Sequence, residues 1–515
     1  MPPSNTLGLL TVFPIASMQL QVSTFSPHLR ANGVAAPRVA GILPALFTDC
    51  TRFACLVLLL TLTGCTQPRL ADRSTDDLLQ RLPQIPQADR VRLALLDQLT
   101  SRTLTPAQHE TLSRCLADIL ASPKNSPATR RRALQIATQH YPARAPAWLA
   151  HAYQPTPEPD LRAHILRHLT IQSHPHAVPP LLLALDHADH THSTEAPAIA
   201  AALAASANLP LTEALTKHLR SNAPNRQRLA ALACLRRRIG HLPTRHLILN
   251  TPHTDPFLAT LHFWARRFDY LPTNMPRYFL CRHHQLNLTP DDFQRLADTA
   301  QHLARREAYR FDPRDTHLLL TLPPERLATP ATQLSARIAA RLSTRSHTKR
   351  PPSSPGAPDD YTEHFTGPNH PISYTDLVRV DLLLDTLALP DTPKQLQQFL
   401  RDDLADTSTE VGGLALLELE NQRVCFRPYP PGDRARDNQY RESLDMFEDA
   451  ANCLARWHCH AHRQRGPLLA GPGSDDLHYA QWSDSPMLVV TYLARNRCNV
   501  DYLNPEGAVI DLGNY

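Results

Sequence analysis

The chain has 515 residues, a formal net charge of +5 and 42% hydrophobic residues. This length exceeds that of one ordinary domain, so we expect two or three folded domains with buried cores rather than a disordered chain. The positive charge comes almost entirely from Arg, acidic residues are interspersed with it, and no basic block carries interleaved aromatic residues, which argues against a nucleic-acid-binding surface.

An apolar run near the N-terminus has the character of a secretory signal. Residues 53–63 read FACLVLLLTLT after Arg52, and the run is too short to cross a bilayer as a stable helix. The sequence LTGC that ends at Cys65 resembles the lipobox of bacterial lipoproteins, in which the Cys becomes the lipid-modified first residue. The resemblance implies an extracytoplasmic protein of the bacterial cell envelope, held to a membrane by lipid on Cys65. The alternative is a core helix that contains a Cys by chance.

The predicted signal region, residues 1–64, is longer than an ordinary signal peptide of roughly 15–30 residues. A start codon assigned too far upstream explains the excess. Seven cysteines follow Cys65, and their odd number and irregular spacing do not indicate a disulfide framework. We expect most of them to be buried thiols.

Residues 65–345 have the composition of a helical region. Gly240 is their only glycine, whereas the final 170 residues contain ten, and Gly in a helix interior costs roughly 1 kcal/mol relative to Ala. Segments such as RQRLAALACLRRR place apolar residues at three- and four-residue spacing with Arg on the other face. Four Ser/Thr–Pro pairs are typical of helix starts, and Gln108 completes a capping box in the first of them: Thr105-Pro106, Ser126-Pro127, Thr289-Pro290 and Thr329-Pro330.

The helical segments resemble, weakly, HEAT-type helical repeats. No clean period emerges, so an irregular array and a regular solenoid both remain open. Arrays of this kind bind or position a partner, and we expect this one to recruit a protein. The His-rich stretch 186–192 (DHADHTH) offers metal-ligand residue types, but it lies where a helical pattern ends, and we interpret it as a solvated loop, as we do His283/His284.

Residues 346–370 have the composition of a linker, rich in Pro, Ser and charge. In residues 371–515 the pattern changes to an α/β (α+β) domain with a mixed or antiparallel sheet. Helices are predicted for 374–387 and 442–452. Strands are predicted for 411–419, 423–429, 487–493, 499–503 and 508–512, the last after an NPEG turn.

Three histidines at two-residue intervals lie inside this domain, in the sequence WHCHAH. In a strand, the alternation of CLARWHCH sets His458 and His460 on one face and Trp457 and Cys459 on the other. Catalytic zinc takes three protein ligands and leaves one position to water, so a third ligand and a general base are needed. Asp476 can supply the carboxylate and Glu410 the base.

The ordered set resembles the JAMM (JAB/MPN-type) zinc metalloproteases, over roughly residues 371–515. Their pattern is E-x-x-G followed by an apolar residue, then H-x-H, then P-S-x-x-D. Residues 410–414 (EVGGL) match the first element, 458–460 (HCH) the second, and Pro472 with Asp476 the third. Each piece alone is a weak signal, and the order of the three is what is specific.

The resemblance implies that His458, His460 and Asp476 bind Zn²⁺ and that Glu410 deprotonates the water which zinc activates. It also implies hydrolysis of a peptide or isopeptide bond in a protein or peptide substrate. Gly473 stands where the family has a Ser that stabilises the tetrahedral intermediate, and Ser474 is the candidate for that role. An alternative alignment uses Asp475 as the third ligand.

Three hypotheses follow from the sequence. The chain is a lipid-anchored zinc metallopeptidase whose helical array recruits the substrate. Alternatively, the JAMM-like domain is weak or inactive and the whole is a binding scaffold of the envelope. In the third hypothesis the motif is accidental, and an unrelated α/β domain follows the helices.

Overall fold

The computed structural model describes residues 70–84, 89–153, 156–172, 174–253, 255–307, 309–351, 364–367, 372–418, 423–434, 439–462, 466–494 and 496–515. The predicted signal region with Cys65 lies outside these residues, as does most of the predicted linker. The described residues belong to one unit, Leu70–Tyr515.

The chain is mostly helical before residue 411 and forms a sheet after it, as the sequence predicts. In order, the helices are α1 (Thr75–Arg81), α2 (Asp89–Thr100), α3 (Pro106–Ala121), α4 (Pro127–His140), α5 (Ala145–Tyr153), α6 (Pro159–Ile171), α7 (Val178–His190), α8 (Ala196–Ala207), α9 (Leu211–Leu219), α10 (Asn225–Ile239), α11 (His241–Leu249), α12 (Pro256–Phe268), α13 (Met275–Asn287), α14 (Pro290–Glu307), α15 (Thr316–Thr321), α16 (Pro324–Leu327), α17 (Ala331–Ser343), α18 (Tyr374–Leu387), α19 (Asp391–Ala405), α20 (Leu444–Asp449) and α21 (Ser474–Ser483). Up to α14, most helices pack against helices one or two places away in the chain, which makes the region a helical array.

Three of the four predicted Ser/Thr–Pro helix starts are confirmed. The Thr105 hydroxyl accepts from the Gln108 backbone N–H in a complete capping box. The hydroxyls of Ser126 and Thr289 likewise accept from the backbone N–H of the third residue of α4 and α14. The fourth is wrong: α17 begins at Ala331, with Pro330 at the N-cap and no side-chain cap. A hydroxyl one residue further back lies outside the position from which it reaches the first free N–H groups.

The apolar side chains form two large clusters. The first extends from Leu78 on α1 to Tyr278 on α13. The second extends from Trp264 on α12, through α17 and α18, to Leu512 in the last strand. The helices from α12 onward therefore share one core with the sheet, and this core runs across residue 345, where the sequence predicts the helical region to end.

The sheet has six strands in the order β2-β1-β3-β4-β5-β6. They are β1 (Gly412–Leu417), β2 (Val424–Tyr429), β3 (Cys453–His460), β4 (Met487–Ala494), β5 (Arg497–Leu503) and β6 (Val509–Asn514). Neighbours are antiparallel except β3 and β4, so the predicted mixed sheet is confirmed. A parallel pair needs a crossover, and α21 lies in the one between β3 and β4.

The two faces of β3 have different surroundings, as its alternation predicts. Trp457 and Cys459 point into the second apolar cluster, where Trp457 stacks on Phe399 of α19 at 4.8 Å between ring centroids. His458 and His460 point to the other face, whose apolar part is a small cluster that includes Ala480 of α21. The histidines thus lie between the sheet and the crossover.

Buried ion pairs join the helices to the sheet. Arg379 on α18 contacts Asp315 at 2.6 Å and Asp376 at 3.3 Å, and each of the three side chains is at most 6% exposed. Asp376 also accepts from the Tyr502 hydroxyl of β5 at 2.6 Å and from Asn504 at 3.1 Å. Removing one partner from such a group leaves an uncompensated buried charge, which typically costs about 3–5 kcal/mol.

Five of the seven cysteines that follow Cys65 are buried and all seven are free thiols, as the sequence predicts. Among the described residues, no single helix has both the length and the apolar character that a membrane crossing needs; only α8 and α9 together, bent by 68°, satisfy both criteria.

Candidate metal centre

Three side chains predicted as metal ligands lie together beside the sheet. The Nε2 atoms of His458 and His460 are 3.1 Å apart, and Asp476 oxygens lie 3.2 Å from the first and 3.4 Å from the second. One ligand atom from each residue falls within 4.8 Å of the other two. In the described part of the chain, no other three His, Cys, Asp or Glu side chains come together in this way.

Local structure explains the position of each ligand. The two histidines are alternate residues at the end of β3, so both project from one face. Asp476 is the third residue of α21, where its Oδ2 also accepts from the Gly473 backbone N–H at 2.6 Å. The loop between them turns at Gly471, whose φ of +73° favours glycine. The first turn of a helix is a favourable place for a carboxylate, and here it lies over the end of β3.

A backbone carbonyl orients His460. Its Nδ1 lies 3.2 Å from the Leu469 oxygen, which also accepts from the Thr491 hydroxyl of β4 at 3.3 Å. Because a carbonyl oxygen only accepts, Nδ1 carries the hydrogen, which leaves Nε2 as the ring nitrogen that can bind a metal in the cluster. This is the arrangement of an imidazole that serves as a metal ligand.

The electrostatics of the cluster favour a cation. Burial lowers the pKa of His458, but the Asp476 charge and hydrogen bond outweigh burial and raise that pKa to about 9. Burial raises the pKa of Asp476, whereas the two imidazoles lower it well below its usual range. Positive charge is therefore stabilised beside Asp476 at neutral pH. A divalent ion held by the same three atoms would replace the proton, and two imidazole nitrogens with one carboxylate oxygen are suitable ligands for it.

The register of β1 and β3 places Glu410 near these ligands. Gly412 lies opposite His458, and the Cys459 N–H donates to the Val411 carbonyl at 2.8 Å. Glu410 precedes Val411 and lies two residues before β1, so a continuation of this register would set it opposite His460. Glu410 is 8% exposed, and its charge is among those that raise the pKa of His458.

The remaining predicted residues lie at the start of α21 or beyond β3. Ser474 is the first residue of α21 and is half-buried, and Gly473 is its N-cap. Asp475, the alternative third ligand, is exposed and does not belong to the cluster. His462 also lies outside the cluster.

The other His-rich segment has a different role. Residues 186–190 form the last turn of α7, so the prediction of a solvated loop is wrong there. It is also wrong for His283 and His284, which lie within α13, where the buried His284 ring is hydrogen-bonded to the Pro313 carbonyl. Asp186 pairs with Arg237 at 2.8 Å and Asp189 with Arg238 at 3.0 Å. These carboxylates join α7 to α10.

Sequence reasoning missed the two residues that orient His460. Leu469 acts through its backbone oxygen, which no side-chain motif reveals. Thr491 could have been found, because the alternation of MLVVTYL places this single hydroxyl among apolar residues on one face of β4, in register with His460.

Comparison with known proteins adds no relative to this description. No family model, no curated protein and no solved structure matches the chain.

Proposed function

We propose that the protein is a zinc-dependent metallopeptidase of the JAMM type that hydrolyses a peptide or isopeptide bond. The observation that carries this proposal is the convergence of His458, His460 and Asp476 at the end of β3. The order of the motif elements in the sequence supports it, since Glu410 precedes the ligands in the chain and lies two residues before β1.

Zinc is the metal that this ligand set fits best. Imidazole nitrogens suit Zn²⁺, and two His with one carboxylate leave a coordination position open for chemistry. When bound, zinc would act as a Lewis acid toward a carbonyl and lower the pKa of a water molecule from about 16 to roughly 7.

The protein side chains would divide the remaining work. The carboxylate of Glu410 would accept a proton from the attacking water on one of its oxygens and deliver it to the departing amine. The hydroxyl of Ser474, at the N-terminus of α21, would donate a hydrogen bond to the oxygen that gains negative charge. Leu469 and Thr491 would keep His460 in the tautomer that binds metal.

We further propose that the helical array recruits the protein or peptide substrate and that lipid on Cys65 anchors the chain to a membrane of a bacterial cell envelope. The proposal of recruitment is supported by the succession of packed helices from α1 to α14, because helical arrays present extended surfaces to partners. The anchor is supported by the LTGC sequence.

Gly473 supports a second candidate function. A JAMM-like centre that lacks the hydroxyl at this position loses one donor to the oxyanion, and such a loss costs about 10²- to 10³-fold in rate without removing the metal ligands. The chain would then be a metal-binding scaffold of the envelope with weak activity or none.

Metal content tests the proposal first. The full chain, purified without added metal, would be analysed for zinc beside His458→Ala and Asp476→Ala, with His462→Ala as the matched histidine control. We expect about one zinc per chain in the parent and the control, and none in the two ligand variants. A parent that takes up no zinc even after reconstitution would contradict the metallopeptidase and the metal-binding scaffold alike. A zinc-loaded parent that cleaves nothing in a peptide-library screen would favour the scaffold.

A further inference from the structure

The start of the predicted linker lies along the edge of the sheet. The Asn514 N–H of β6 donates to the Ser346 carbonyl at 2.8 Å, and the Asn514 side chain donates to the Thr348 hydroxyl at 3.0 Å. His347 contacts Asp511 of β6 at 3.1 Å. Residues 346–350 therefore extend from the end of α17, past β6, toward the crossover loop.

Arg350 ends this run inside the protein. Its side chain is largely buried, with 8% of the residue exposed. The guanidinium donates to the backbone oxygens of Leu469 at 3.1 Å, Ala470 at 3.3 Å and Gly471 at 3.0 Å. Hydrogen bonds from a charged donor are roughly twice as strong as neutral ones, so these contacts fix the loop that leads from β3 to Asp476.

The Leu469 oxygen connects Arg350 to the candidate metal centre. This one atom accepts from Arg350, from Thr491 and from His460 Nδ1. Its position decides where the His460 ring points. Without Arg350, three backbone carbonyls would lose a buried donor and the loop would be free to rearrange, which would move the acceptor that orients His460.

We propose that Arg350 is a positioning residue of the metal centre. Its guanidinium holds the Leu469 carbonyl, and through this carbonyl it holds the His460 ring, so that a residue of the predicted linker controls metal affinity at the sheet. This inference rests on the proposed function, because it requires that His458, His460 and Asp476 bind zinc.

Zinc affinity of the full chain tests the inference. The protein would be stripped of metal and titrated with Zn²⁺ against a chromophoric chelator, as the parent, Arg350→Met and the matched control Arg345→Met. Arg345 directly precedes residues 346–350, but its guanidinium lies over the Tyr515 ring, 4.4 Å from the ring centroid. Loss of residues that orient metal ligands typically costs about 10- to 100-fold in metal affinity. We expect a loss in this range for Arg350→Met and no change for Arg345→Met.

A conservative variant separates positioning from folding. Arg350→Lys keeps the charge, but one ammonium group cannot reproduce the guanidinium fork. With Co²⁺ in place of zinc, we expect the visible absorption bands of Arg350→Lys to differ from those of the parent, because a displaced Leu469 carbonyl would change the orientation of His460. If Arg350 only stabilised the fold, the ligand geometry and the bands would stay the same.

The two proposals fail in different ways. Parent-like zinc affinity and a parent-like cobalt spectrum in the Arg350 variants would overturn the positioning role and leave the metal centre intact. A parent that binds neither metal would overturn both proposals.

Discussion

Gly412 lies directly opposite His458 on the antiparallel strands β1 and β3. A Cβ atom at Gly412 would lie 2.7 Å from the Tyr440 ring, so the glycine lets this aromatic ring pack on the face that carries the histidines. Glu410, the proposed base, lies two residues before Gly412, just outside β1. The segment that enters β1 thus carries both this packing and the proposed base.

The first prediction concerns this base. Glu410→Gln keeps the shape of the side chain but removes its ability to accept a proton. We expect the variant to retain zinc and to lose hydrolysis by about 10²- to 10⁴-fold. Glu418→Gln, an exposed residue just beyond the other end of β1, is the control and should behave as the parent. Loss of zinc together with activity in Glu410→Gln would show that Glu410 supports the metal instead of acting as the base.

The second prediction concerns the oxyanion donor. Gly473 has φ −85° and ψ 171°, a conformation that Ser adopts readily, and it is the N-cap of α21. Gly473→Ser should therefore stabilise the helix slightly, since Ser exceeds Gly at this position by a few tenths of a kcal/mol. We expect hydrolysis to rise, by up to about 10²-fold if no other group fills the role.

Ser474→Ala is the companion variant. If Ser474 is the donor, its loss should lower the hydrolysis rate by about 10²-fold or more, and Gly473→Ser should restore part of that rate in the double variant. Equal rates in the parent and in both single variants would exclude a hydroxyl donor at the start of α21.

The third prediction uses the two adjacent glycines of β1. A methyl group at Gly412 meets the Tyr440 ring, which can move, whereas at Gly413 it meets the Arg427 backbone carbonyl of β2, which cannot move without breaking the strand pair. We expect Gly412→Ala to cost about 1–3 kcal/mol, the usual range for overpacking, and Gly413→Ala to cost more. Thermal unfolding of the two variants checks the order, and a smaller loss in Gly413→Ala would contradict it.

The fourth prediction concerns pH and the helical region. His284 on α13 is 2% exposed, and burial lowers its pKa to about 3, while its Nε2–H donates to the Pro313 carbonyl at 3.1 Å. The unfolded chain binds this proton near pH 6.5 and the folded chain does not. His284 therefore contributes stability that is present above pH 6.5 and is lost as pH falls toward 3, by roughly 1.4 kcal/mol per pH unit.

His284→Gln tests this expectation because Gln keeps a donor and does not titrate. As pH falls from 7 to 4, the unfolding temperature of the parent should decrease more than that of His284→Gln. His302→Gln, at an exposed position on α14, is the control and should leave the pH profile of the parent unchanged. A constant difference across this range would mean that His284 does not titrate on unfolding.

Periodicity predicted the elements of the sheet but not all of its connections. Strand alternation sufficed for β3, where Trp457 and His458 point to opposite faces, because burial on one side imposes a period of two. The sequence did not predict α21, because Gly471, Pro472 and Gly473, which directly precede it, are typical of a turn. At the start of this helix the Gly473 backbone N–H donates to the Asp476 carboxylate. From the sequence, Asp476 was predicted only as a metal ligand and not as a capping residue.

Contacts between distant segments were beyond local patterns. Arg350 lies in a Pro- and Ser-rich stretch, where a charged residue is ordinarily solvated, yet it reaches backbone atoms at residues 469–471. Backbone oxygens carry no sequence signal, so the link between this Arg and His460 becomes visible only once the chain is folded. The core shared by α12–α18 and the sheet was not predicted either. The amino-acid composition changes at the linker, but one apolar cluster includes residues from both sides of it.

This shared core links the motif-bearing strands to the helices that precede the linker. A fragment starting at residue 371 would contain all of the proposed catalytic and metal-binding residues, but it would expose the side of α18 that packs on α17, where Asp381 pairs with Arg337 and Arg341. It would also leave Arg379 without Asp315. We expect such a fragment to aggregate on expression, because the motif-bearing region shares its core with the helices from α12 onward.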